Sequence, residues 1–222
     1  MKSIIFLTLI ITLFSCKQTE KKVRVLPFVG NYDVIYSLVD GKEVADTVYP
    51  KMIDFSFLNQ DSVIIKSSDM KGKIWVADFF FTSCPTICPT MTEQMKRLNN
   101  MTKDLTDHVQ FMSFSINPNY DTPTQLKKYI QFHEIKSKNW QFFTGNEVKT
   151  HDLGINHFQI FAGQDSNAAG GYAHTAAFAL VDKEGYVRGV YLGTDPKEVD
   201  KLEIDLRKLL KYEYDIDIKL NH

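Results

Sequence analysis

The run Ile74 to Phe81 (IWVADFFF) constrains the fold more than any other stretch of this chain. It is short, nearly continuously apolar and preceded by the turn residues Lys71-Gly72-Lys73, the pattern of a strand covered on both faces. Such a strand needs parallel neighbours with helices above and below, and the residues that follow supply them. Met91, Met95, Leu98, Met101 and Leu105 recur at helical spacing, and Val109 to Ile116 (VQFMSFSI) returns to an apolar strand, which completes a βαβ unit. A second helix begins at Thr122-Pro123 and carries Leu126, Tyr129, Ile130 and Phe132 toward His133. Trp140 to Phe143 reads as a short strand and Asn146 to Phe158 as a weaker helix. Gly163 to Gly171 (GQDSNAAGG) is too small and polar to pack and is expected to be a mobile loop. Two strands follow, Thr175 to Val181 and Tyr186 to Leu192, joined across Asp182-Lys183-Glu184-Gly185. A last amphipathic helix after Asp195-Pro196 buries Val199, Leu202, Leu206, Leu209 and Leu210.

The order from residue 74 is therefore β-α-β-α, an inserted strand, helix and loop, then β-β-α. That is the thioredoxin order, so the expected class is α/β with a thioredoxin-like fold. Ahead of it, Asp40-Gly41 between Tyr36-Ser37-Leu38-Val39 and Glu43-Val44 reads as a tight hairpin, and residues 28 to 70 as short strands wrapped onto something larger. The expected divisions are a leader over 1–16, a tether over 17–25, a β extension over 26–72, the thioredoxin-like domain over 73–213 and a tail over 214–222. Lys2 followed by the apolar stretch Ile4 to Phe14 is a signal sequence, and it is well short of the ~20 apolar residues that span a bilayer as a helix. It ends in Leu13-Phe14-Ser15-Cys16, which resembles the bacterial lipoprotein box, in which the Cys thiol receives lipid; the plainer alternative is an unmodified cysteine in an ordinary signal peptide. An exported, lipid-anchored protein of the cell envelope facing the periplasm is expected. With 26 basic and 27 acidic side chains the chain has no field to hold a polyanion, and nucleic acid is excluded as a partner.

Without Cys16, one cysteine pair remains, Cys84 and Cys88. A disulfide across three intervening residues restrains the unfolded chain little, so redox or metal chemistry is the better motive for the pair. In FTSCPTICPT the two thiols flank a strand-to-helix turn at the carboxyl edge of the sheet, where α/β folds do chemistry. Pro89 as a first-turn residue and Thr90-x-x-Glu93 as a capping box are alternative helix starts; in either, the helix dipole favours a thiolate at Cys88. Soft thiolates select Cu(I), and one added imidazole gives a three-coordinate site that also tolerates Cu(II). Of six histidines, His108, His133, His151, His157 and His222 read as surface residues. His174 follows the flexible Gly170-Gly171-Tyr172-Ala173 and opens a strand facing the cysteine turn; from pattern alone it reads equally as a ligand or a strand cap. Met91, Met95 and Met101 share a helical face and read as core, not as copper thioethers.

FFFTSCPTICP, Asn117-Pro118-Asn119-Tyr120-Asp121-Thr122-Pro123, and His174-Thr175 with Leu180-Val181-Asp182-Lys183-Glu184-Gly185 resemble the SCO/SenC family, over about Leu26 to Leu210. The resemblance implies a thioredoxin fold, copper held by Cys84, Cys88 and His174, and delivery to the binuclear copper centre of cytochrome c oxidase. The implied partners are the copper-bearing oxidase subunit, a membrane reached through lipid on Cys16, and other copper chaperones. Two positions depart from the pattern: Ala173 where the family often has Asp, and Asn117 where it commonly has Asp. Asp78 and Asp121 are candidates to replace the lost charge, though a buried strand acid and a helix-start cap explain them more simply. A thiol-disulfide oxidoreductase that reduces the oxidase subunit's copper-ligand cysteines is the alternative; it needs only Cys84 and Cys88, as a redox pair able to form a disulfide. A peroxidase is disfavoured, since Thr82 lies two residues before Cys84 where peroxiredoxins space theirs by three.

Overall fold

The computed structural model describes residues 24–168 and 170–220. Strands β1 (Asp33–Val39) and β2 (Lys42–Val48) pair antiparallel across Asp40-Gly41, whose φ values of 51° and 74° are the left-handed pair that a tight hairpin turn requires. The hairpin is not wrapped onto a larger body: every residue of both strands is exposed. Its cross-strand pairs explain why. Ile35 faces Asp46, Leu38 faces Glu43 and Val39 faces Lys42, so a charge accompanies the apolar residues on both faces and neither face can be buried cheaply.

The body contains β3 (Ser56–Asn59), β4 (Ile64–Lys66), β5 (Ile74–Phe80), α1 (Cys88–Met101), β6 (Val109–Ser115), α2 (Pro123–Phe132), β7 (Trp140–Thr144) and α3 (Glu147–Asp152). The chain continues through a π turn (Leu153–His157) into β8 (Ala162–Gln164), β9 (Tyr172–His174), β10 (Ala177–Val181), β11 (Val187–Leu192) and α4 (Pro196–Lys208). Seven strands form one mixed sheet in the order β11-β10-β5-β6-β7-β3-β4. β5 runs parallel to β6 and antiparallel to β10, and all seven of its residues are buried. This is the thioredoxin-like arrangement, widened by β3 and β4 at one edge.

Aromatic side chains fill both faces of the sheet. Phe79 and Phe143 each stack on Phe114, at 5.3 and 5.0 Å between ring centroids, and Phe158 closes on them from beyond the π turn. On the opposite face Phe80 packs against Tyr129 and Phe142, and the Tyr129 hydroxyl lies 2.6 Å from Thr92 Oγ1, tying α2 to α1. Burying one such ring contributes about 1.5–3 kcal/mol. Met91, Met95 and Leu98 of α1 are wholly buried and are core, whereas Met101 is half-buried with its sulfur 3.6 Å from Arg97 Nη1.

Gly163 to Gly171 is not an open loop. β8 pairs antiparallel with β9, and backbone bonds from Asp165 N to Gly171 O (3.0 Å), Ala168 N to Asp165 O (3.0 Å) and Gly171 N to Ala168 O (2.9 Å) close the turn between them. Small residues leave side chains with nothing to pack, yet their backbone can still pair, and Gly170 and Gly171 supply the positive φ the turn needs.

At the far end, buried Arg188 of β11 binds both Asp182 (2.9 Å) and Glu213 (2.6 Å) and donates to the backbone oxygens of Leu26 and Pro27. Glu213 in turn accepts from Val25 N (2.7 Å) and Leu26 N (3.3 Å), so one ion cluster fastens the entry of the chain to its exit. No helix among the described residues is long and apolar enough to cross a membrane.

Candidate metal centre

The turn after β5 presents both thiols. Cys84 N donates to Phe81 O (3.2 Å), and Cys88 is the first residue of α1, with Pro89 second and no side chain capping the helix, so the Thr90/Glu93 register is unused. Both cysteines are unbonded to one another. Asp121 fixes this turn from the side. Its wholly buried carboxylate accepts from Thr82 N (3.0 Å), Thr82 Oγ1 and Ser115 Oγ (2.6 Å). It is therefore not a helix-start cap; Thr122, whose Oγ1 accepts from Gln125 N, fills that role. The sequence offered a signal only in hindsight, because Asp121 lies after β6, the parallel neighbour whose end stands beside the end of β5.

His174 does not open the strand that runs beside β5. It ends β9, and Thr175-Ala176 separate it from β10. The placement still brings it to the cysteines: Nε2 lies 3.1 Å from Cys88 Sγ, and the ligating atoms of Cys84, Cys88 and His174 all fall within 4.8 Å of one another. The imidazole stands edge-on to Phe81 at 6.1 Å, and Phe81 contacts Tyr172 at 5.5 Å, so one aromatic wall sets the ring's height above the turn. A small pocket of about 170 Å³ opens here, lined by Phe81, Cys84, Ile87, Tyr172 and His174. Among the described residues no other histidine joins a cluster of three metal-ligating groups. Cys16 and His222 lie outside the described residues.

The electrostatics differ from the helix-dipole expectation. Cys84, not Cys88, is the thiolate: a hydrogen bond from Cys88 holds it far below the usual thiol range against the cost of burial, with help from His174. Cys88 keeps its proton because the hydrogen bond to Cys84 and deep burial both push its thiol up. Two thiols this close share one negative charge, and the more exposed sulfur carries it. Beneath them Asp78 on β5 is pushed up to about 7 by burial, only partly offset by Ser113 and by the charge of His174. Its Oδ1 and the Nδ1 of His174 are both buried without a hydrogen-bond partner. Two soft sulfurs and one imidazole nitrogen at this spacing can close on a single ion with modest side-chain movement, the donor set suited to Cu(I).

A family model described as SCO1/SenC matches residues 45–211. The SCO1 protein homolog of Bacillus subtilis is 31% identical over 172 residues, which cover 75% of this chain and 86% of that protein. Among solved structures, a SCO1/SenC family lipoprotein from Bacillus anthracis is 36% identical with a TM-score of 0.66, over 72% of this chain and 94% of the other. BsSco, described with a disulfide switch and as a member of the Sco family of cytochrome c oxidase assembly proteins, is 32% identical with a TM-score of 0.63, over 71% and 91%. Bradyrhizobium japonicum ScoI, solved with copper bound, shares the fold at 21% identity and a TM-score of 0.59, over 72% and 99%.

Proposed function

This chain belongs to the SCO1/SenC family, and from that premise we propose that it is a copper chaperone that takes one ion between Cys84, Cys88 and His174 and delivers it to the binuclear copper site of cytochrome c oxidase. One observation carries the reading: two sulfurs from a single turn and a nitrogen from a segment 86 residues away lie within 4.8 Å of one another. Copper is the cargo. The thiolates make the site selective for a soft ion, and the imidazole completes three-coordination. Transfer is by ligand exchange, in which a client thiolate displaces the partly exposed His174 or Cys84 before the sulfur of Cys88, 1% exposed, lets go.

In this reading residues 73–213 are the copper-binding domain and 214–222 a tail, while the leader ends at Cys16, whose thiol carries lipid. The tether over 17–25 then holds the domain at a membrane, facing the periplasm, where the copper-bearing oxidase subunit and other copper chaperones meet it. The lipoprotein relative from Bacillus anthracis and the short apolar run before Cys16 support that placement.

Anaerobic titration of the reduced full chain with copper, against a strong competing chelator, tests the site. One copper per chain is expected, with binding lost on Cys84→Ser or Cys88→Ser and weakened on His174→Ala; undiminished binding by His174→Ala would remove the imidazole from the site. A second reading is favoured by the unequal cysteines, since a thiolate at Cys84 is the form that attacks a disulfide. In that reading the pair reduces the cysteines of the oxidase subunit. Metal-free reduction of a client disulfide that survives His174→Ala would support it over copper delivery.

A further inference from the structure

A cleft of about 620 Å³ lies away from the cysteine turn and shares no residue with the copper pocket. It opens between the β3–β4 edge of the sheet and α3. Its floor is apolar: Phe55, Phe57 and Leu153 are buried members of the core that reach the cleft from inside. Lys66 and Lys71, on either side of the turn Ser67–Met70, and Lys149 of α3 also line the cleft, and all three are exposed.

None of these lysines has an ion-pair partner among the described residues. The two carboxylates on the cleft are already engaged by the protein. Asp54 accepts from Ser67 Oγ (3.0 Å), and Asp152 accepts from Asn156 Nδ2 (2.7 Å) with His157 Nε2 at 4.0 Å. Neither carboxylate pairs with a lysine, so the lining holds three ammonium groups against two carboxylates, an excess of positive charge. A cleft of ligand size with an apolar floor and a few convergent polar groups is how small-molecule sites are built.

We propose that this cleft binds an amphipathic anion, a phosphate or carboxylate head with an aliphatic or aromatic body. The head sits among Lys66, Lys71 and Lys149, and the body covers Phe55, Phe57 and Leu153. A lipid of the bilayer and a soluble amphiphile present the same chemistry, and either can fill the cleft. The lysines set the charge of the ligand, because they outnumber the two carboxylates of the lining and leave it with an excess of positive charge. The rings set its polarity, because a bare inorganic ion would leave them wet.

Calorimetric titration of the full chain with decyl phosphate, below its micellar concentration, is the test. Decanol, decyltrimethylammonium and inorganic phosphate serve as comparisons. Saturable one-to-one binding of decyl phosphate is expected, weakened about tenfold or more in Lys66→Glu/Lys149→Glu, the loss that two reversed exposed charges bring. Copper binding by that variant should be unchanged, which reports that it has folded. Equal binding of decanol and decyl phosphate would overturn the proposal, as would equal binding of inorganic phosphate, or a variant that binds like the parent. Vesicles of phosphatidylglycerol, compared with phosphatidylcholine, distinguish the sources. Lysine-dependent association with the anionic vesicles assigns the ligand to the bilayer, and its absence alongside lysine-dependent decyl phosphate binding assigns it to a soluble amphiphile.

Discussion

Replacing Asp78 by Asn should stabilise the reduced, metal-free protein, and by an amount that depends on pH. Asp78 is 2% exposed and its Oδ1 has no hydrogen-bond partner, so ionising it in place is costly. Burial lifts it from the ordinary 3.8 to about 7. The unfolded chain releases this proton near 3.8 and the folded chain near 7, so between those values the native state binds more protons and stability falls as pH rises. The difference, 7 − 3.8 ≈ 3 at ~1.4 kcal/mol for each pKa unit, gives about 4 kcal/mol as an upper bound, all of it present above pH 7. Asn has nearly the same shape and no charge to bury, so the variant lacks that penalty. Urea unfolding of both proteins with reductant and a copper chelator, at about pH 4 and about pH 9, reads the effect as a change in midpoint at constant slope. The gain should be near zero at the acid end and largest at the alkaline end. Equal gains at both pH values, or a loss at the alkaline end, would refute the argument that a buried carboxylate with one oxygen unpartnered sets this part of the stability.

Gly170→Ala should lower copper affinity about tenfold while leaving the core's unfolding temperature nearly unchanged. Its φ of +86° is strained for any side chain, and a Cβ there would lie 2.7 Å from the Phe81 ring that positions His174. Chelator competition and thermal unfolding on one sample check both halves. Arg188→Met should cost about 3–5 kcal/mol in urea unfolding, since it leaves Asp182 and Glu213 buried without their cation. For Glu213 burial raises the pKa, but Arg188 and the Val25 and Leu26 N–H groups outweigh it and hold the carboxyl below 4.5. Its contribution is therefore present above pH 4.5 and lost as pH falls through the lower folded value, and Glu213→Gln should flatten that acid limb of the urea midpoint. Met91→Leu and Met95→Leu should leave copper affinity unchanged and cost less than about 1.5 kcal/mol each, because both side chains are sealed in the core.

Much of the fold was legible because local pattern and burial agree. The IWVADFFF run became a strand buried along its whole length, Thr122-Pro123 and Asp195-Pro196 began α2 and α4, and Asp-Gly at 40-41 made the hairpin turn. Cys84 and Cys88 could be singled out because their spacing is itself a local quantity. Where the reading failed, the deciding partner was distant in sequence. GQDSNAAGG carries no pattern that announces a turn closed by its own backbone, and Asp121 looks like a cap until the end of β6 is set beside Thr82.

By itself the sequence determined most of the core strands and helices, the dithiol turn and the apolar run Ile4 to Phe14, because each is written in residues that touch their chain neighbours. Only the tertiary structure decided which thiol keeps its proton, where His174 stands and that Asp78 Oδ1 is left without a partner. Those properties come from desolvation and from contacts across as many as 86 residues, and both exist only once the sheet has brought β5, α1 and β9 together.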